Sequence, residues 1–228
     1  MEEELDWSVE NTPRSLRFGD LYFSDLDGLD ETKYVFLNGN KLPEIWRSTD
    51  RFIIAETGFG TGLNFFATWQ LWRETSTPNS NLIYYSIEKY PLTIAQIAKS
   101  ISHWPDLKPL LDEFKKDYVS TEINSQTLLF DKGSVTLRLI FGDVRQVLSQ
   151  ATFSSDAWFL DGFAPSCNPE MWSDNVFREV ARLSKKGSRL ATFTAASDVR
   201  RGLTNVGFNM VKTPGFGKKR EMLTGYFL

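Results

Sequence analysis

The stretch RFIIAETGFGTGLNFFATWQ, residues 51–70, constrains the fold of this chain more than any other. Residues 52–55 are apolar and read as a buried strand ending in Glu56. Gly58, Gly60 and Gly62 follow at alternate positions, separated by Phe59 and Thr61, and a helix-like pattern begins at Leu63 and Asn64. Glycine lets a backbone turn sharply, or lets a ligand come closer than a Cβ would permit. A helix start adds unpaired N–H groups and a positive dipole end. A strand, a glycine loop and a helix in that order predict a corner of an α/β sheet that holds a nucleotide-type ligand.

The glycine spacing discriminates between ligands. The dinucleotide fingerprint G-x-G-x-x-G needs glycine where this chain has Leu63, so a nicotinamide oxidoreductase is disfavoured. Glu56-x-Gly58-x-Gly60-x-Gly62 instead resembles the first motif of class I S-adenosylmethionine (SAM) methyltransferases. That resemblance implies a loop, with Phe59, Thr61 and Asn64, curled around the carboxypropyl part of SAM, and an acid, Glu56, orienting its ammonium.

At 228 residues, 41% hydrophobic and 24% charged, the chain suits one soluble domain or slightly more. No apolar run approaches the ~18 residues of a membrane span. The acidic start MEEELDWSVE lacks the parts of a secretory signal. One cysteine, Cys167, and one histidine, His103, exclude a disulfide framework and a cysteine or multi-histidine metal site. The expectation is a cytoplasmic protein whose chemistry uses no metal. The net charge of −3 hides an asymmetry: residues 1–50 hold 5 Lys/Arg and 12 Asp/Glu, residues 178–220 hold 11 and 2. A basic half can bind phosphates even on an acidic protein.

Residues 1–50 carry hairpin signals: DLYFS and KYVFL are aromatic, β-rich runs, and Asn38-Gly39-Asn40 is a turn signal. From residue 51, strand candidates (52–56, 82–87, 135–141, 157–160, 189–194) alternate with helix candidates (63–74, 92–102, 106–116, 170–184, 196–205). Two strand-like runs, 208–213 and 221–227, end the chain, and FDKGS at 130–134 reads as a hairpin turn. The alternation predicts an α/β sheet, and with the closing strand pair it is similar to the Rossmann-like class I methyltransferase fold that the glycine motif implies. Residues 1–50 form an N-terminal β-hairpin extension packed on a 51–228 core.

Strand ends supply the candidate chemistry. LIYYSIEKY ends at Glu88, placed to accept from both ribose hydroxyls of a nucleoside, with Lys89 beside it. In FGDVR, Asp143 and Val144 resemble the motif that contacts adenine, although Asp143 also suits an N-cap for VRQVLSQ. AWFL ends in Asp161-Gly162-Phe163-Ala164-Pro165, where class I N-methyltransferases carry their acceptor motif. An alkylammonium has pKa roughly 10, so it is mostly protonated at neutral pH. Asp161, beside the cofactor, can orient such a group and accept its proton, and Phe163 can stack on a base or on the sulfonium region. Arg200-Arg201-Gly202 and Gly215-Phe216-Gly217-Lys218-Lys219-Arg220 offer cations and a stacking face to nucleic acid, or are solvated charged turns.

Together these segments resemble the methyltransferase domain of the bifunctional tRNA 5-methylaminomethyl-2-thiouridine biosynthesis proteins. FGDLYFSDLDGLDETKYVFLNGN, ETGFGTGLNF, FGDVR, AWFLDGFAPSCNPEMW, LATFTAASDVRRGL and GFGKKREMLTG carry the likeness, and span nearly the whole sequence. The resemblance implies SAM-dependent methylation of an aminomethyl group on the tRNA wobble uridine. Glu56, Gly58, Gly60, Gly62, Glu88 and Asp143 fall at SAM positions, and Asp161, Phe163 and Pro165 beside the acceptor amine. Full-length members carry an FAD-dependent oxidoreductase half. No second dinucleotide fingerprint exists here, so the expectation is a free-standing enzyme or a fragment of a longer protein. Methylation of another amine, or a SAM- or RNA-binding module without catalysis, are the alternatives. The oligomeric state is open.

Overall fold

The glycine-loop strand lies in the middle of an eight-stranded sheet, and its position there creates the site. The computed structural model describes residues 3–9, 12–120 and 124–228. In chain order its main elements are β1 (Leu5–Asp6), β2 (Arg14–Ser15), α1 (Gly28–Thr32), β3 (Arg51–Glu56), α2 (Leu63–Thr75), β4 (Asn81–Glu88), α3 (Ile94–Ile101), α4 (Lys108–Phe114) and β5 (Ser125–Phe130). β6 (Val135–Phe141), α5 (Val144–Gln150), β7 (Ser155–Phe159), α6 (Asp174–Arg182), β8 (Ser184–Thr192), α7 (Ser197–Asn205), β9 (Phe208–Pro214) and β10 (Glu221–Phe227) complete it.

The large sheet has the order β5-β6-β4-β3-β7-β8-β10-β9. Its five central strands, β6, β4, β3, β7 and β8, are parallel. β5 is antiparallel to β6, and β10 is inserted antiparallel between β8 and β9, as expected of a class I methyltransferase sheet. The chain moves outward from β3 through β4 to β6, then returns to β7 on the other side of β3. That reversal opens a crevice at the carboxyl ends of β3 and β7, the usual ligand position in such sheets.

Strand residues alternate between two cores. Ile54, Tyr84, Leu137 and Phe159 pack with Phe36, Phe66, Trp69, Ile97 and Phe114. Ala55, Ile87, Trp158 and Leu190 pack with Leu148, Phe177, Val180 and Leu203. The period of two along each strand therefore gives a layer of helix on both faces. Aromatic contacts dominate the first core, with Trp69 and Phe130 centroids 4.2 Å apart and Trp46 meeting Trp72 edge-on at 5.0 Å.

The N-terminal hairpin is β1 and β2, with Leu5 opposite Ser15 and Asp6 opposite Arg14. The aromatic runs assigned to it from sequence behave otherwise. KYVFL is helical: Asp27 accepts from the Asp30 N–H and caps α1, and the helix continues as a π-helical turn over Lys33–Asn38. Val35, Phe36 and Leu37 are thereby buried in the first core. DLYFS makes only an isolated bridge, Leu21 to Arg14. Asn38-Gly39-Asn40 ends the helix, its Asn40 amide donating to Phe36 O at 2.9 Å. Aromatic and β-branched residues suit either element when packed, and here the acidic cap and first turn, DGLDE, decide. The run expected as one helix over 170–184 splits into a 3₁₀ turn, Pro169–Trp172, and α6.

Candidate active site

The glycine loop is held open by its own backbone. Gly60 and Gly62 have φ of +52° and +76°, a region that favours glycine. Gly58 is needed for a different reason: a Cβ there would lie 3.3 Å from the Asp161 carbonyl oxygen. The loop thus passes close to the end of β7, and Thr57 locks the two together. Its Oγ1 donates to Asp161 O at 2.7 Å and accepts from Asp161 N–H at 3.1 Å.

Glu88 leaves the end of β4 and faces the loop. Its carboxylate accepts the Gly60 N–H at 2.9 Å and the Tyr90 N–H at 2.8 Å. Burial raises its pKa, and those backbone donors oppose the rise. Asp143, after β6, does cap α5, accepting from the Arg145 N–H at 3.0 Å. The Arg145 guanidinium also grips it at 2.9 and 2.8 Å, and Lys89 donates to it at 2.9 Å. The Arg145 hydrogen bonds, then Lys89, hold this carboxyl well below the usual range.

A second cluster sits under the ends of β3 and β7. Asn64, in the first turn of α2, spends both amide hydrogens on carboxylates: Glu56 at 2.9 Å and Asp161 at 2.7 Å. Its carbonyl accepts from the Thr32 hydroxyl at 2.8 Å, which fixes the amide's orientation. Glu56 is 1% exposed and also accepts from Ser86 at 2.6 Å. Burial, and then the charge of Asp161, drive its pKa well up. Asp161 accepts the Gly162 N–H at 2.8 Å, and burial pushes it up to about 7. Glu31 adds to that rise and Lys219 opposes it. Asp161 therefore changes charge near neutral pH, the poise that suits proton transfer.

These groups surround one cavity of about 390 Å³, a size suited to a nucleoside-type ligand. Of the residues singled out in sequence, Gly58, Phe59, Gly60, Thr61, Asn64, Glu88, Lys89, Asp143, Val144, Asp161, Phe163, Phe216, Lys218 and Lys219 line it. Glu56, Gly62, Pro165, Arg200, Arg201 and Arg220 do not line it. Glu56 lies beneath it, Gly62 caps α2, and Arg200 and Arg201 are exposed on α7. Phe163 is stacked on Phe18 at 4.7 Å and met edge-on by Tyr22 at 5.0 Å. The acidic and basic halves meet at the rim, where Lys218 pairs with Asp25 at 3.6 Å and Lys219 with Glu31 at 2.9 Å.

Thr32, Thr57, Glu31, Phe18 and Tyr22 belong to the site and were not singled out by motif reading. The signal for Phe18, Tyr22, Glu31 and Thr32 was membership of the long N-terminal segment FGDLYFSDLDGLDET, which the fold lays across the cavity, and for Thr57 its place between Glu56 and Gly58. Among the described residues, no cluster of three or more His, Cys, Asp or Glu could hold a metal ion. No helix among them is long and apolar enough to cross a membrane.

Comparison with known proteins agrees with the geometry. A family model described as S-adenosyl-L-methionine-dependent methyltransferase matches residues 105–227. The chain is 47% identical over 228 residues to the tRNA 5-methylaminomethyl-2-thiouridine biosynthesis bifunctional protein MnmC of Pseudomonas fluorescens, covering 99% of this chain and 35% of that protein. The protein of the same name from Marinobacter nauticus is also 47% identical, covering 97% and 36% respectively. The chain thus spans about a third of the length of these relatives. Its fold resembles the crystal structure of MNMC2 from Aquifex aeolicus, with a TM-score of 0.74 at 21% identity over 94% of this chain and 66% of that one. With its family model matching more than half of its residues, this chain belongs to the S-adenosyl-L-methionine-dependent methyltransferases.

Proposed function

We propose that the chain methylates the primary amine of a 5-aminomethyl group on (2-thio)uridine at the tRNA wobble position, giving 5-methylaminomethyl-(2-thio)uridine. The observation that carries this reading is Asp161, an acid with pKa near 7 on the cavity wall beside the glycine loop. The names of the relatives, which the chain matches along its whole length, support the substrate.

The cavity fits SAM: Gly58 lets the loop pass against the end of β7 where a Cβ would be tight, and Gly60 adopts a positive-φ backbone that favours glycine, so the loop's N–H groups border the cavity. When bound, SAM supplies a methyl group made electrophilic by its positive sulfur. Gly58, Phe59, Gly60 and Thr61 would cradle its amino-acid end with Asn64, above Glu56, with Gly62 opening α2. Glu88 would accept from the ribose, and Asp143 and Val144 would border adenine, with Lys89 steadying Asp143. Asp161 takes a proton from the acceptor ammonium and so exposes the nitrogen lone pair that a methyl acceptor needs. Phe163 offers a face to the uracil and Pro165 shapes the loop behind it. Phe216, Lys218, Lys219, Arg220, Arg200 and Arg201 would meet the RNA. Residues 1–50 act as an extension on the 51–228 catalytic core, and action on tRNA implies a cytoplasmic location.

The test is incubation with labelled SAM and tRNA from a strain lacking this modification, followed by nucleoside mass spectrometry. The expected product is 5-methylaminomethyl-(2-thio)uridine. Label in another amine and none in tRNA would overturn the substrate.

A further inference from the structure

Lys219, on the β9–β10 loop, lines the cavity and meets two groups that together form a cation receptor. Its Nζ donates to Glu31 Oε1 at 2.9 Å and lies 4.3 Å from the Phe193 ring centroid. Glu31 is only 8% exposed, and its other oxygen accepts the Ser24 N–H at 2.8 Å. A carboxylate held by backbone and faced by an aromatic ring binds ammonium through charge, hydrogen bond and π-cloud. The Lys219 side chain, by contrast, is 46% exposed and ends a flexible four-carbon stem. The receptor is built in; its present occupant is the tip of a half-exposed side chain that can leave by rotation about its own stem.

The receptor is also wired to Asp161. Glu31 directly precedes Thr32, Thr32 donates to Asn64, and Asn64 donates to Asp161. Glu31, Phe193 and Asp161 all line the same cavity. Lys219 carries a primary alkylammonium, the same group as the acceptor in the reading above, on which this inference rests.

We propose that Glu31 and Phe193 form the ammonium subsite of the acceptor pocket, and that Lys219 fills it until the substrate's aminomethyl group displaces it. One ammonium replaces another, so Glu31 is never left as a buried, unpaired charge. A neutral group at the same position of the base gives no such exchange, because it would strand that carboxylate. The displaced Lys219 joins exposed Lys218 and Arg220 on a loop free to face phosphate. The cavity thereby selects for an amine before any chemistry occurs.

The test uses binding of 5-aminomethyluridine and uridine nucleosides to the full chain saturated with S-adenosylhomocysteine, measured by calorimetry. Lys219→Met removes the internal competitor, so 5-aminomethyluridine should bind roughly five- to tenfold tighter than to wild type, with uridine unchanged. Adding Glu31→Gln should abolish the preference for the aminomethyl nucleoside, and Glu31→Asp should restore part of it. Thermal melts confirm that each variant is folded. Lys219→Met binding both nucleosides equally, or the aminomethyl nucleoside no tighter than wild type, would overturn the proposal and leave the lysine as a strut. Loss of tRNA methylation in wild type would sink the substrate reading instead, since nucleoside binding reads the subsite without turnover.

Discussion

Asp161→Asn should change the shape of the pH profile as well as the rate. Burial pushes the Asp161 carboxyl up to about 7, so it is ionised above that pH and protonated below it. An acceptor amine with pKa ~10 is only ~0.1% neutral at pH 7. With Asp161 ionised, the abundant ammonium form can be used. Wild-type kcat/KM should therefore rise through pH 7 and stay level from about 8 to 9.5. The variant keeps the shape of the side chain but cannot take a proton, so it must wait for the rare neutral amine. Its rate should climb about tenfold per pH unit toward ~10. The deficit works out at ~10²–10³-fold at pH 7, within the range for positioned acid–base groups, and under ~10-fold at 9.5. The assay is transfer of labelled methyl to undermodified tRNA at saturating SAM, from pH 6 to 9.5, with SAM affinity checked by calorimetry. A deficit that is constant across pH, or a wild-type rate that itself climbs tenfold per unit, would refute the reasoning. Stability gives a second reading. The folded pKa of this acid lies above its ordinary 3.8, so the native state binds more protons between about 4 and 7. Between pH 4 and 7 wild-type stability should fall more steeply than the variant's, by at most about 4 kcal/mol, a difference that urea titrations on both proteins read while Glu56 and Glu88 contribute to each.

Asn64→Ala removes the donor shared by Asp161 and Glu56; a charge-assisted bond is worth ~1.5–3 kcal/mol, so the activity step should move alkaline by about 1–2 pH units, and an unmoved step would deny Asn64 a positioning role. Gly60→Val puts a β-branched residue at φ +52° with its Cβ 3.0 Å from the Tyr22 ring; SAM binding should be lost by calorimetry while the melt shows a folded protein, and equal affinity would remove the loop from the site. Lys218→Ala with Arg220→Ala should weaken tRNA binding and flatten the log Kd against log salt slope by ~1.4–1.8, leaving SAM affinity alone; an unchanged slope would move the RNA to another face.

The sequence by itself determined seven of the large sheet's eight strands, all but edge strand β5, and the corner of the site. Apolar runs bounded by glycine, proline and acid carry their own signal, because strand burial and the αL glycines are local demands of the backbone. The loop 56–62 and the strand-end acids Glu88, Asp143 and Asp161 were legible for that reason, as was the antiparallel pair that ends the chain. Residues 20–37 were not. Their aromatic composition fits strand or helix; the Asp27 cap and the acidic first turn of α1 set a helix from residue 28, and burial of Val35, Phe36 and Leu37 in the core holds it. Only the tertiary structure brought Thr32, Asn64, Glu56 and Asp161 into one hydrogen-bonded cluster, drawn from residues up to 129 positions apart. It also decided the electrostatics. The basic residues read in sequence as an RNA-facing surface are partly engaged with the acidic N-terminus, Lys218 with Asp25 and Lys219 with Glu31. No spacing rule reports such pairs, because through-space proximity at the cavity mouth, set by how two distant loops pack, determines which charge each lysine meets.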